Sequence, residues 1–176
     1  DETAAKKVFT FCLNLGITTF EFSASAKNER INRLFFECIA ENNIDRKDLV
    51  ILLRVGKEIT DDGFTIIDQS REALVSQLDT FLTRSGRKYI DILLLDELDH
   101  LTNIEAIGNT LGYLVHSEVV KHIGVANFTS SQYRLLKAAL PVPIVTNHME
   151  FSLLKPDAIF DGRLDEIKES FGKPLV

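Results

Sequence analysis

Cysteine and glycine are scarce in this 176-residue sequence, and their arrangement excludes two kinds of site. The two cysteines, Cys12 and Cys38, lack the close spacing of a metal-binding pair, so we expect no metal. Both fall at apolar positions of predicted helices, where a cysteine is usually a buried free thiol. Free thiols are typical of proteins in a reducing cytoplasm. None of the nine glycines forms a G-x-G-x-x-G pattern, so no motif supports a dinucleotide-binding doubly wound sheet.

Long apolar runs, a secretory signal peptide and an excess of positive charge are also missing. No apolar run approaches the roughly 20 residues of a membrane-spanning helix. The net charge of −6 argues against nucleic acid or an anionic membrane as the main partner. We therefore expect a cytoplasmic protein whose partners are neither nucleic acid nor a membrane.

What the sequence does contain is a series of short apolar runs that alternate with helical patterns. We predict six strands: Ile17–Phe22, Leu49–Leu53, Ile90–Leu95, His122–Ala126, Pro143–Thr146 and Pro174–Val176. This alternation predicts an α/β fold with a parallel sheet, here a partial TIM-type (β/α) barrel of about six strands. A whole barrel takes about 250 residues. We therefore expect residues 1–176 to be a single domain that lacks the first strand and the last part of a barrel.

Two further predictions concern the first helix and residues 56–67. The spacing of Ala5, Val8, Phe11, Cys12 and Leu15 predicts a first helix whose inward face they form. Residues 56–67 are predicted to be a loop that turns at Asp62 and Gly63.

Polar side chains stand where the predicted strands end. They are Glu21, Arg54, Asp96, Asn127 and His148. In parallel barrels the chemistry sits on the face formed by the carboxyl ends of the strands. These side chains are therefore the candidate site.

Five segments resemble the aldo-keto reductase family, and they are nearest to its bacterial short-loop members. They are Leu15–Phe20 (LGITTF), Tyr89–Leu94 (YIDILL), Val120–Thr129 (VKHIGVANFT), Thr146–Ser152 (TNHMEFS) and Leu154–Leu164. The resemblance implies NADPH-dependent carbonyl reduction by an aspartate, a tyrosine, a lysine and a histidine. In that mechanism the tyrosine is the general acid, the lysine lowers the pKa of the tyrosine, and the histidine orients the carbonyl.

This chain departs from the family at all four catalytic positions. The matching residues are Glu21 for the aspartate, Ala26 for the tyrosine, Arg54 for the lysine and Asp96 for the histidine. Arginine does not deprotonate, alanine has no proton to give, and a carboxylate opposes the negative charge that develops on a carbonyl oxygen. A structural ion-pair network is therefore the expected state, although Glu21 and Asp96 sharing one proton would create a new acid.

The resemblance also identifies positions that match cofactor contacts. Ala126 and Asn127 match a serine–asparagine pair that binds the nicotinamide amide, and His148 matches a glutamine. The family's contacts to the adenosine phosphate come from a strand and helix that this chain does not include. We therefore expect NADPH binding to be weak or absent in this chain.

Three hypotheses about function remain open from the sequence. The first is a catalytically degenerate protein, retained as a scaffold, regulatory subunit or cofactor-responsive binder, for which no carbonyl substrate is expected. The second is an active NADPH-dependent carbonyl reductase with a rebuilt acid, either Glu21 or Asp96. The third is a fragment that self-associates, because open strand edges pair readily with a second copy or with another protein.

Overall fold

The computed structural model describes residues 2–60, 62–99, 101–156 and 159. Five parallel strands form the main sheet: β1 (Thr19–Ser23), β2 (Val50–Val55), β5 (Ile90–Asp96), β6 (Val120–Ala126) and β7 (Ile144–His148). A separate hairpin consists of β3 (Lys57–Ile59) and β4 (Thr65–Ile67). The helices are α1 (Glu2–Asn14), α2 (Glu29–Glu41), α3 (Arg71–Ser85), α4 (Ile104–His116) and α5 (Ser130–Ala139).

The order of the main sheet confirms the predicted α/β class and the partial barrel. Its strands run β1-β2-β5-β6-β7, and every neighbouring pair is parallel. Five of the predicted strands are present, with each end within two residues of its predicted position, and Pro174–Val176 lies outside the described residues. Within the described ranges, β1 and β7 each have only one hydrogen-bonded neighbour, so they are the two edges of the sheet.

The central strands are apolar on both faces, as burial between helices and the interior of a curled sheet requires. Ile51 and Leu53 of β2 pack in one core with Leu93 and Leu95 of β5. The helices contribute to the same core through buried apolar residues, including Phe35, Leu74, Leu78, Ile107 and Leu111. Side-chain caps fix the starts of three helices, at Ser70, Asn103 and Thr129. These caps fix the residue at which each of the three helices begins.

The predicted first helix is present as α1, but three of the five residues predicted to face inward do not face the core. Val8, Phe11 and Leu15 are exposed, at 58–64% of their accessible surface, whereas Phe9 and Leu13 pack against the core. The ring of Phe9 meets Phe35 of α2 edge-on, with centroids 5.1 Å apart. Helix α1 carries two apolar stripes, and helical spacing shows which residues share a face but not which face is covered.

The predicted loop at residues 56–67 is also wrong, because it contains the β3–β4 hairpin. Its turn lies where the sequence predicts it, with Gly63 at φ +87° and its N–H donating to the Thr60 carbonyl. The two strands are only three residues long, too short for an alternating pattern to stand out. The hairpin brings Lys57 and Glu58 to the carboxyl edge of the sheet, where they contact Glu97 and Ser25.

Gly124 lies at a crowded point on the concave face of the sheet. A Cβ atom added there would lie 2.6 Å from both Leu94 Cδ2 and Thr146 Cγ2. We expect Gly124→Ala to lower the free energy of unfolding by about 1–3 kcal/mol, as overpacking typically does. Urea unfolding measures this loss. The double variant Gly124→Ala, Thr146→Ser removes one of the two clashing methyl groups and should recover part of it; no recovery would contradict the steric explanation.

Candidate functional site

The five strand-end side chains meet in one chain of polar contacts. Glu21 lies in the middle of β1, two residues before its end, and Arg54 lies one residue before the end of β2. Asp96 ends β5, Asn127 follows β6, and His148 ends β7. Their hydrogen bonds run from His148 to Glu21, then to Arg54, Asp96 and Asn127. Adjacent parallel strands place these ends along one edge, and the curl of the sheet brings the two outer ends together.

Arg54 lies between two carboxylates. Its Nε and Nη2 atoms donate to Glu21 Oε1 at 2.8 and 2.6 Å, and its Nη1 atom donates to Asp96 Oδ1 at 3.2 Å. The side chains of Arg54, Glu21 and Asp96 are 25%, 33% and 7% exposed. Asp96 Oδ1 also accepts from Asn127 Nδ2 at 3.1 Å. Asp96 therefore accepts from Arg54 and from Asn127 through the same oxygen atom.

A contact between Glu21 and His148 joins the two edge strands of the sheet. His148 Nδ1 lies 2.7 Å from Glu21 Oε2, and the nitrogen carries the hydrogen, because an ionised carboxylate only accepts. Burial alone would raise the pKa of Glu21, but the His148 hydrogen bond and the charge of Arg54 outweigh it and lower the pKa. Glu21 is therefore ionised at neutral pH.

Because the pKa of Glu21 is lowered, the stability of the folded protein depends on pH in the acidic range. Because the folded-state pKa lies below the ordinary value of 4.5, the stabilisation from Glu21 is present above that pH and is lost as pH falls through the folded-state pKa. We expect Glu21→Gln to lose less stability than the unaltered protein between about pH 5 and pH 3. Urea unfolding at a series of pH values tests this, and parallel stability curves for the two proteins would contradict it.

The three positions that match cofactor contacts are partly engaged within the site. Ala126 is fully buried and aliphatic. Asn127 donates from Nδ2 to Asp96, and its Oδ1 accepts from the Glu150 N–H at 3.3 Å. His148 Nδ1 is bound to Glu21. These contacts use one N–H of the Asn127 amide and one nitrogen of the His148 ring, so a nicotinamide amide would have to share these groups with their present partners or displace those partners.

Ala26 lies apart from this chain of contacts, in the short 3-10 helix Ala26–Asn28 between β1 and α2. The preceding Ser25 is buried, and its hydroxyl donates to Glu58 Oε1 at 3.0 Å. At the position that matches the family's tyrosine, this segment therefore has an alanine, which has no proton to give. Among the residues that the structure describes, no three His, Cys, Asp or Glu side chains are grouped to hold a metal ion.

Two supporting residues, Gln69 and Lys57, were missed by the sequence reasoning. Both contact Glu97, which follows β5 in the left-handed region, at φ +52°, a conformation that costs a non-glycine residue about 1–2 kcal/mol. Buried Gln69 holds this turn, because its Nε2 donates to the carbonyls of Asp96 and Glu97 at 3.2 and 2.5 Å and its Oε1 accepts from the Asp99 N–H. Lys57 pairs with the Glu97 carboxylate at 2.7 Å. Nothing in the sequence singles out Gln69 or Lys57.

Comparison with known proteins decides the family. The family model described as the aldo/keto reductase family matches residues 1–174. The chain belongs to this family. Aldo-keto reductases are oxidoreductases that typically use NADP(H), and the family membership predicted from the motifs is confirmed.

Individual relatives are distant and longer. Oxidoreductase YdhF of Escherichia coli K12 is 25% identical over 167 residues, which cover 93% of this chain and 56% of the relative. An uncharacterised oxidoreductase, YcsN of Bacillus subtilis 168, is 26% identical over 171 residues, or 94% and 57% of the two chains. The holo form of an aldo-keto reductase from Bacillus halodurans superposes with a TM-score of 0.83 at 18% identity, covering all of this chain and 57% of that one.

The chain therefore spans somewhat more than half the length of the relatives it matches. At this identity the superposition establishes the fold alone. Within the described ranges, no helix combines the length and apolar character that crossing a bilayer requires.

Proposed function

We propose that this aldo-keto reductase domain is catalytically degenerate and serves as a scaffold or cofactor-responsive binder. The observation that carries the proposal is the position of Arg54. The guanidinium holds two ionised carboxylates at the point where the family mechanism needs a lysine beside a protonated tyrosine. Arginine remains charged at every accessible pH, so Arg54 cannot release a proton from the position of the family's lysine.

The charge at Asp96 also works against carbonyl reduction. Negative charge develops on the carbonyl oxygen during reduction, and catalysis requires hydrogen-bond donors aimed at that oxygen. Asp96 is acceptor-only in its ionised form, and Arg54 and Asn127 both direct their donors to it. The donors nearest to the place of the family's histidine are therefore already occupied.

We further propose that NADPH binds weakly or not at all to this chain, because Asn127 Nδ2 and Oδ1 and His148 Nδ1 already have partners within the site. Titration of the longest natural form with NADPH, followed by cofactor fluorescence, tests this. Weak binding predicts no saturation in the micromolar range. Saturable micromolar binding would contradict it and would favour a cofactor-responsive binder over a scaffold, and turnover assays would then test the degeneracy itself.

The second candidate function is an active reductase with a rebuilt acid, and the contact between His148 and Glu21 favours it. Neither Glu21 nor Asp96 suits the role of proton donor, because both side chains are paired with Arg54. His148 could donate the proton instead, since histidine is the most frequent general acid in enzymes and Glu21 holds its Nδ1 atom at 2.7 Å. This candidate predicts a bell-shaped pH–rate profile and loss of activity in both Glu21→Gln and His148→Gln. Unchanged turnover in either variant would exclude it.

The open edges of the sheet support a further proposal about partners. Within the described residues β1 and β7 are unpaired on one side, and an open parallel edge can add a strand from another chain. We propose that a second copy or another protein covers these edges. Light scattering on the longest natural form tests self-association, and a monodisperse monomer would argue against it.

A further inference from the structure

A cleft of about 170 Å³ opens between α2 and α3, in the helical layer outside the sheet. Its floor is apolar and consists of Ala24, Phe36 and Phe81. The two rings are buried, 5.6 Å apart and nearly perpendicular. Both also contact the ring of Phe22 in the core, so they are held in place from below. The floor is therefore a preformed aromatic surface.

Charged side chains form the rim of this cleft. Arg33 and Glu29 come from α2, and Arg84 comes from α3. Arg84 pairs with Glu29 across the cleft. Arg33 has only long contacts with its acidic neighbours, 3.6 Å to Glu37 and 3.9 Å to Glu2. Two guanidiniums therefore face one carboxylate, and the rim carries a net positive charge.

We propose that this cleft binds a single aromatic ring that carries a carboxylate. Its volume is close to that of the roughly 150 Å³ apolar cavity known to hold one benzene molecule. The phenylalanine rings suit edge-to-face packing with a bound ring. Guanidinium groups are the side chains best matched to a carboxylate, because they donate two parallel hydrogen bonds. Size therefore selects one ring, and the charge of the rim selects an anion.

The proposal does not depend on the strand-end site. Ala24 is the nearest link, since it follows β1 and its N–H donates to the Arg54 carbonyl. The other cleft residues come from the two helices, and none takes part in the contacts of Glu21, Arg54, Asp96, Asn127 and His148. Binding in the cleft can therefore be measured whether or not the domain is catalytically degenerate.

Benzoate is the probe for the test, with benzylamine as a cation of similar size. Titration of the longest natural form by calorimetry should give saturable benzoate binding with a dissociation constant below about 1 mM, as a fragment of this size can reach. Benzylamine should bind at least about ten-fold more weakly, because the rim repels it. Absence of saturation, or equal binding of the two compounds, would overturn the proposal.

Substitutions of residues that line the cleft test whether benzoate binds there. Ala24→Leu fills the floor and Thr80→Leu narrows the cleft from α3, so each should reduce benzoate affinity at least about ten-fold, and thermal melts show which variant remains folded. Arg84→Gln should weaken benzoate binding about five-fold or more. Arg30→Gln is the matched control, because Arg30 is an exposed arginine of α2 that pairs with Glu2 and does not line the cleft. Equal effects of Arg84→Gln and Arg30→Gln, or undiminished binding in both folded leucine variants, would place the benzoate elsewhere and overturn the proposal.

Discussion

Replacing Arg54 by methionine is expected to lower the free energy of unfolding by about 3 kcal/mol. The substitution removes the cation between Glu21 and Asp96 and leaves two carboxylates facing each other. Asp96 is only 7% exposed, so water compensates little for the lost partner. Because Arg54 itself is 25% exposed, the expected loss lies at the lower end of the range for buried pairs. Urea unfolding at neutral pH measures it.

A matched control separates this effect from the general cost of losing an arginine. Arg84→Met breaks an exposed pair with Glu29, whose side chains are both about half exposed, and should cost less than about 1 kcal/mol. Adding Asp96→Asn to Arg54→Met neutralises the buried carboxylate and should restore part of the stability. Equal losses for Arg54→Met and Arg84→Met would show that the network does not hold the fold together.

The second large effect is expected on turnover. Restoring Ala26→Tyr, Arg54→Lys and Asp96→His together supplies the general acid, the lysine beside it and a neutral hydrogen-bonding group. The Asp96→His change also removes the carboxylate to which Asn127 donates, which frees an amide N–H that matches a cofactor contact. A positioned general acid contributes about 10²–10⁴-fold to rate. We therefore expect the triple variant of the longest natural form to reduce small aldehydes about 10²–10⁴-fold faster than the double variant that keeps Ala26.

Comparing the triple variant with the double variant isolates the acid, because both carry the same lysine and histidine. Single restorations should recover little, since such residues act as a unit. A triple variant no faster than the double variant would show that loss of the acid does not explain inactivity. Loss of cofactor binding would then have to contribute to the inactivity. Titration of the triple variant with NADPH measures that binding directly.

The strand ends could be predicted because their signal is local. Runs such as Ile90–Leu95 are apolar on both faces, and the residue after each run falls on the same edge of a parallel sheet. Their positions at the ends of predicted strands were therefore enough to place Arg54 and Asp96 in one candidate site. Contact between Glu21 and His148, which are 127 residues apart, depends on how far the sheet curls, and that is a property of the packed structure.

Other features were beyond the reach of the sequence for equally physical reasons. Which stripe of α1 faces inward depends on the packing of Phe9 on Phe35, since Val8 and Phe11 form an equally apolar stripe. Gln69 is an ordinary residue in a short connection, and only its three contacts with the Asp96–Asp99 turn show its role.

The most direct test of catalytic degeneracy is NADPH-dependent turnover of a panel of small aldehydes by the longest natural form. The account predicts no consumption of NADPH above that of buffer, because Arg54 and the ionised carboxylates leave the centre without a proton donor. Turnover that disappears in both Glu21→Gln and His148→Gln would contradict the account and identify an active enzyme with a rebuilt acid.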